Sequence, residues 1–495
     1  MKTRGRLESR AASTSAMLSF VIVFAAGARS LPAQAPGSWA TPSVAADSGA
    51  PFSFDRFRSL VLANHPEADQ ARLVGAQARS QLTEALGAFD PKVGIGLSEK
   101  SYKGDRYYRY ADATLTVPLP IGSGIKFGFE RATGSKINPD RSTPENGLFT
   151  LGLSLPLGQG IITDQRRTSV AQARALRDVA AAEQQALLNK LLVRAAKAYG
   201  EWYGAVGRAD IAAEGVRLAQ FRADATRERV RAGDSPAVDT LEAVLEVRRR
   251  TVTLLEARTD VNVSALVASS FLWNENGSPL ELASDSRPVL AGLEAGAVDT
   301  SRMREWVRDA ERRHPELLKA DGKVRVASAD RLLAAQSLLP DAEGALYSIG
   351  ARDDIDALTR RTDWEENYKG SLSATTSLLL RKERGKLAGT SQKLEFARLD
   401  RDLVRRDVAY AIRIALNELT LLQQLIDVQR QNVQAAGLLR DAEQVRLDSG
   451  ESTLLTVNLR ERLVLDEAIK LATLEGKIAA ARATLAAAIG SGTMM

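Results

Sequence analysis

Few side chains in this 495-residue chain are suited to chemistry. It has two histidines and no cysteine, which excludes disulfides, thiol catalysis and cysteine-ligated metals. The histidines lie far apart, each opening the same tripeptide: His65-Pro66-Glu67 and His314-Pro315-Glu316. They occupy equivalent helix-turn positions, so both read as structural rather than as catalytic. Asp353-Asp354-Ile355-Asp356 has ligand types for a hard cation but reads as an acidic loop. Gly122-Ser123-Gly124 is too short to cradle a phosphate and lies between strand-like segments, as a hairpin turn would. Beyond the first residues the only methionines are Met303, Met494 and Met495, too few for a transition-metal relay. A hydrolase would need a nucleophile or metal cluster that the sequence does not offer. No catalytic residue, cofactor or metal ligand is assigned.

The formal charge of +6 gives no footprint for nucleic acid. Charges alternate in sign, as in Glu242, Glu246, Arg248 and Arg249, which predicts a solvated helix face. Lys2, Arg4, Arg6 and Arg10 precede an apolar run from Ala16 to Ala28, and small residues follow at Ala33-Gln34-Ala35. Residues 1–35 therefore read as a secretory signal peptide. Pro36 hinders cleavage after Ala35, so the cut after Ala26-Gly27-Ala28 stays open. Residues 36–52 read as a flexible mature amino terminus. Nothing downstream approaches the roughly 18 apolar residues of a membrane-spanning helix.

The elements repeat. At the offset that superposes the two histidines, Ala78 falls on Ala327, Ala85 on Ala334 and Pro91 on Pro340. Later, Arg229-Val-Arg-Ala-Gly233-Asp-Ser235 matches Arg446-Leu-Asp-Ser-Gly450-Glu-Ser452, each glycine placed to cap one long helix before the next. Two structural repeats follow, 53–300 and 301–490, with a tail at 491–495. Long helices are predicted at about 165–275 and 383–489, broken at those glycines. The stretches 165–232 and 383–448 lack proline, and each could extend on the order of 100 Å. Val404, Val408, Ala411, Ala415, Leu419, Leu422, Ile426 and Val433, interrupted by Gln429, form a heptad-like seam.

Between the helices the period changes to two. Val93, Ile95 and Leu97 alternate with Gly94, Gly96 and Ser98, and Phe149, Leu151, Leu153 and Leu155 with Thr150, Gly152 and Ser154. Four strands are predicted in the first half, at about 92–102, 110–120, 124–133 and 147–157. Two more fall within 341–380, where Leu372, Ala374, Thr376 and Leu378 oppose Ser371, Ser373, Thr375 and Ser377. One apolar and one hydrated face suit a transmembrane barrel, although a half-buried soluble sheet gives the same alternation. Tyr102, Tyr107, Tyr108, Tyr110, Trp364 and Tyr368 are candidates for an interfacial girdle, and 135–147 reads as an exposed loop.

In this order and duplicated, Asn64-His65-Pro66, the Gly233 and Gly450 turns with their upstream arginines, Ser154-Leu-Pro-Leu-Gly158 and Leu380-Arg-Lys-Glu-Arg-Gly385 resemble the TolC-like outer-membrane efflux protein family over about residues 53–489. The resemblance implies a mostly α fold with a transmembrane β-barrel part: a homotrimer whose strands share one barrel in outer-membrane lipid and whose coiled helices form a periplasmic tunnel. It implies a passive export duct of a tripartite efflux or type I secretion system, carrying small molecules or polypeptides. Arg229, Gly233, Ser235, Arg446, Gly450 and Ser452 would then lie at the periplasmic tip, facing an adaptor protein and an inner-membrane transporter. The family's acidic ring maps to Thr456 and Leu459, where this chain has no carboxylate. A gate built on Asp239, Glu242 and Glu451, or an apolar constriction, remains open. The family's two-and-two strand pattern implies a twelve-stranded barrel, and six inserted strands per chain imply eighteen. The competing reading is a soluble periplasmic coiled-coil scaffold or adaptor without a pore.

Overall fold

The computed structural model describes residues 43–44, 51–290, 300–352, 358 and 366–491. The leader, the Asp353–Asp356 loop, Trp364 and the last four residues lie outside the described residues. In chain order the elements are β1 (Ser43–Val44), β2 (Pro51–Ser53), α1 (Phe54–Asn64), α2 (Pro66–Leu86), β3 (Lys92–Tyr102), β4 (Asp105–Pro118), β5 (Gly124–Thr133), β6 (Leu148–Pro156), α3 (Gln165–Ala232) and α4 (Ala237–Ser269). They continue with β7 (Leu280–Glu281), β8 (Arg287–Val289), α5 (Met303–Arg313), α6 (Pro315–Gln336), β9 (Asp341–Ala351), β10 (Tyr368–Thr375), α7 (Arg381–Asp448), α8 (Leu454–Gly476) and α9 (Ile478–Ile489).

The two histidines act as hinges of backbone structure. Each ends one helix and caps the next: His65 Nδ1 accepts from the Glu67 N–H at 3.1 Å, and His314 Nδ1 from the Glu316 N–H at 3.2 Å. Burial holds the pKa of both below the ordinary value, which keeps Nδ1 an acceptor.

α3 and α7 each run 68 residues without a break, roughly 100 Å of helix. α3 packs along α4, α7 along α8, and α3 also contacts α8. The predicted seam is largely buried, with Val408, Ala415, Leu419, Leu422 and Ile426 inside. Ala411 is exposed, and Ile412 takes the inward position. Gln429 interrupts the seam because it donates to the Glu467 carbonyl oxygen at 2.9 Å and to its carboxylate at 2.6 Å. A second apolar stripe on α7 is bare: Phe396, Leu399, Leu403, Tyr410, Ile414, Leu421 and Leu425. The last helix stops at Gly476 and restarts at Ile478, where Gly476 passes so close to Gly200 that a Cβ on it would stand 2.5 Å from the Gly200 carbonyl oxygen.

A hydrophobic core lies where the short pair β2–β8 meets the middle of α3, and it includes the middle of α7. Phe54 and Trp202 meet the Tyr199 ring edge-on, at 5.2 and 5.7 Å between centroids. The Tyr199 hydroxyl accepts from the Val289 N–H at 2.9 Å and donates to the Phe52 carbonyl, tying the β2–β8 pair to α3. Burial raises the pKa of that phenol.

The other strands form one antiparallel sheet in the order β10-β9-β6-β5-β4-β3. Its register sorts the side chains. One row across all six strands is Val93, Leu115, Phe127, Leu151, Ser348 and Tyr368; the neighbouring row on the opposite face is Lys92, Thr116, Lys126, Gly152, Tyr347 and Lys369. Two expectations change. β10 ends at Thr375, so Thr376 and Leu378 are not strand residues; the chain leaves the sheet there and Leu380 adopts φ 49° before α7 starts. Tyr108 and Tyr110 lie on the polar face, paired with Lys100 and Ser98 and stacked at 4.8 Å, not on the apolar face. The loop after β5 folds back over this hairpin, with Lys136 4.3 Å from the Tyr107 ring centre and Arg141 4.8 Å from that of Tyr110.

Candidate functional site

The ends of α3 and α7 farthest from the sheet turn on the predicted glycines. Gly233 and Gly450 have φ of 85° and 77°. The N–H after each glycine bonds five residues back, Asp234 to the Arg229 carbonyl and Glu451 to the Arg446 carbonyl, both at 2.9 Å. The glycine N–H groups bond to Val230 and Leu447, at 3.1 and 3.0 Å. These bonds satisfy helix-end carbonyls that would otherwise be unpaired, and a left-handed residue is required for them.

Around the second turn, Arg446, Ser452 and Arg460 converge on Glu443, a buried carboxylate that the sequence did not single out. Ser452 donates to it, with Arg446 at 3.7 Å and Arg460 at 3.8 Å. Thr456 Oγ1 sits 3.0 Å from the hydroxyl of Thr453, which caps α8. Of the other proposed gate positions, Asp239 and Glu242 are half-buried on the first turns of α4, while Glu451 and Leu459 are exposed. Within one chain these four carry no hydrogen bond or ion pair to one another. Arg229 is exposed and Ser235 half-buried at the first turn.

Of the charges read as a solvated face, Arg248 and Arg249 are exposed and Glu242 is half-buried, but Glu246 behaves otherwise. Glu246 is only 7 % exposed and receives Arg250 at 3.0 Å from its own helix and Arg462 at 3.2 Å from α8. Arg250 also reaches Glu461 on α8 at 3.0 Å and donates to the Gly215 carbonyl on α3 at 3.0 Å. Glu461, 3 % exposed, takes Arg222 of α3 at 2.6 Å, and Arg222 donates to Gln444 of α7 at 3.0 Å. Burial lowers the Arg222 pKa and the Glu461 charge opposes that shift. The cluster joins all four long helices beside a cavity of about 220 Å³ lined partly by Ala212 and Gly215. A Cβ on Gly215 would stand 2.9 Å from the Leu465 side chain of α8 and 3.8 Å from Arg250 Cδ, so the glycine lets α3 approach both helices. No local signal marks Glu246 and Arg250 as inward-pointing, and Glu461 lies too far along the chain to be paired from sequence.

No helix among the described residues is long and apolar enough to cross a membrane. The architecture is that of a wall segment and a rod: an open amphipathic sheet carried on very long paired helices. The outer membrane efflux protein model matches residues 57–267 and 306–491, and the chain belongs to that family. Solved structures agree in fold. The Campylobacter jejuni CmeC outer membrane channel is 13% identical at TM-score 0.62, covering 89% of this chain and 86% of that one. The Vibrio cholerae outer membrane protein VceC is 15% identical at TM-score 0.61, covering 88% and 96%. The open state of the Neisseria gonorrhoeae MtrE outer membrane channel is 14% identical at TM-score 0.62, covering 88% of each chain. No curated protein sequence matches. The chain is thus an outer-membrane efflux channel component extending into the periplasm.

Proposed function

We propose that three copies of the chain form one passive duct without enzymatic activity. Their sheets close a barrel in outer-membrane lipid, and their helices continue it as a periplasmic tunnel built from the two repeats, 53–300 and 301–490. The observation that carries this reading is the bare apolar face of the sheet, where Ile95 is 82 % and Leu372 76 % exposed on a protein whose helices stop short of it. Water does not tolerate so wide an apolar surface, whereas hydrocarbon does. The uncovered stripe on α7 supports contact with a neighbouring copy.

The turns at Gly233 and Gly450, with Arg229, Ser235, Arg446 and Ser452, face a periplasmic adaptor and an inner-membrane transporter. Asp239, Glu242, Glu451, Thr456 and Leu459 from three copies narrow the tunnel there. The Glu246–Arg250–Glu461–Arg222 cluster holds the α7/α8 pair against α3/α4, and opening must rearrange it. Small molecules or polypeptides are the cargo.

Fractionation tests the assembly. The duct requires detergent for extraction and a mass of three chains in the detergent micelle. A soluble scaffold would leave the periplasm without detergent.

A further inference from the structure

We infer that the barrel closes from eighteen strands, β3 of each copy pairing with β10 of the next, and that its lumen is correspondingly wider than a twelve-stranded wall allows. The inference rests on the trimeric-duct reading and concerns the β4–β5 hairpin, which separates the two alternatives.

That hairpin is not an appendage. β4 and β5 stand inside the sheet, between β3 and β6, so removing them from the membrane would detach β3 from the wall. Their side chains keep the sorting of the whole sheet: Leu115 and Ile125 on the apolar face, Thr116 and Lys126 on the polar one. The turn between them is docked on the helix side. A Cβ on Gly122 would stand 2.8 Å from the Gly160 carbonyl oxygen and 2.9 Å from the Arg167 guanidinium, at the entry to α3. A hairpin lying outside the membrane needs neither the sorting nor the docking.

The two edges specify the occupant. With six strands alternating in direction, β3 runs opposite to β10, so β3 of one copy meets β10 of another antiparallel and the alternation continues around the ring. β10 is exposed throughout its 8 residues and β3 at every residue but one of its 11. Their outer backbone groups would be unpaired in hydrocarbon, which closure by a second copy prevents. Barrel diameter grows roughly in proportion to strand number, so eighteen strands give about 1.5 times the width of twelve. Asp112, Lys126 and Glu130 of the added strands line that lumen, which leaves the helix tips as the narrow point.

The chain has no cysteine, so single cysteines report cleanly. Purified trimers carrying L115C, I125C, V93C or L153C are labelled with a fluorophore, reconstituted in phosphatidylcholine vesicles and quenched with a nitroxide on the acyl chain. T116C and K126C are challenged with a membrane-impermeant maleimide, and S98C or K100C is paired with S371C or S373C for oxidative cross-linking. The inference predicts equal quenching at all four apolar positions, reaction at both polar ones and covalent ladders up to the trimer. Quenching at Val93 and Leu153 with none at Leu115 and Ile125 places the hairpin outside: eighteen strands fail and the duct stands. Absence of quenching at all four positions overturns the duct as well.

Discussion

The core at the middle of the helices and the apolar face of the sheet are both built from large hydrophobic side chains, but only one of them is finished within a chain. Phe57, Tyr199 and Trp202 are at most 1 % exposed, with the tyrosine hydroxyl satisfied. On the sheet, Val93, Ile95 and Leu372 have no cover. The first region lets one chain fold; in the duct we propose, lipid and other copies complete the second. Stability of the chain and completion of the pore therefore reside in different residues.

Substitutions can separate them. Trp202→Ala removes a buried aromatic from the core and is expected to cost about 4 kcal/mol, read as a lower denaturant midpoint of helix unfolding in detergent. Ile95→Lys on the sheet is expected to cost about 3 kcal/mol of membrane insertion, read as a smaller detergent-extracted trimer fraction with the helix unfolding midpoint unchanged. If Ile95→Lys lowered that midpoint as much as Trp202→Ala does, the two regions would not be separable. Gly450→Val forces a β-branched residue into the left-handed region, although nothing lies within 4 Å of the new Cβ, at about 1–2 kcal/mol. Export should fall while trimer yield is kept; unchanged export would remove Gly450 from the tip assignment.

The smallest effect is that of pH. Both histidines have folded-state pKa values below the ordinary 6.5, so the unfolded chain takes up protons first. Stability is complete above that value and declines as pH falls from it through the folded pKa. A thermal melt at pH 8 and pH 5 should show the decline, and H65N/H314N, which keeps cap acceptors, should flatten it.

Much of this was legible in the residues. Period-two alternation located β3 and β5, and glycine with an upstream arginine located both helix turns. β4 begins earlier than its apolar alternation because Tyr107, Tyr108 and Arg109 carry no period, and strand pairing with β3 decides there instead. On α7 the buried seam was readable except at Ala411, but the second stripe was not, since two heptad stripes on one helix blur each other's spacing. The buried charges were missed because Glu246 and Arg250 four residues apart look like any solvated pair. Only the arrival of Glu461 and Arg462 from a distant helix makes them interior.

The central claim is that three of these chains make one water-filled path. Single-channel recording of the detergent-purified trimer in a planar bilayer tests it directly. The account predicts discrete conductance steps from inserted trimers; a detergent-extracted trimer that inserts into the bilayer and passes no current, with the tip substituted at Gly450 as well as without, would contradict it.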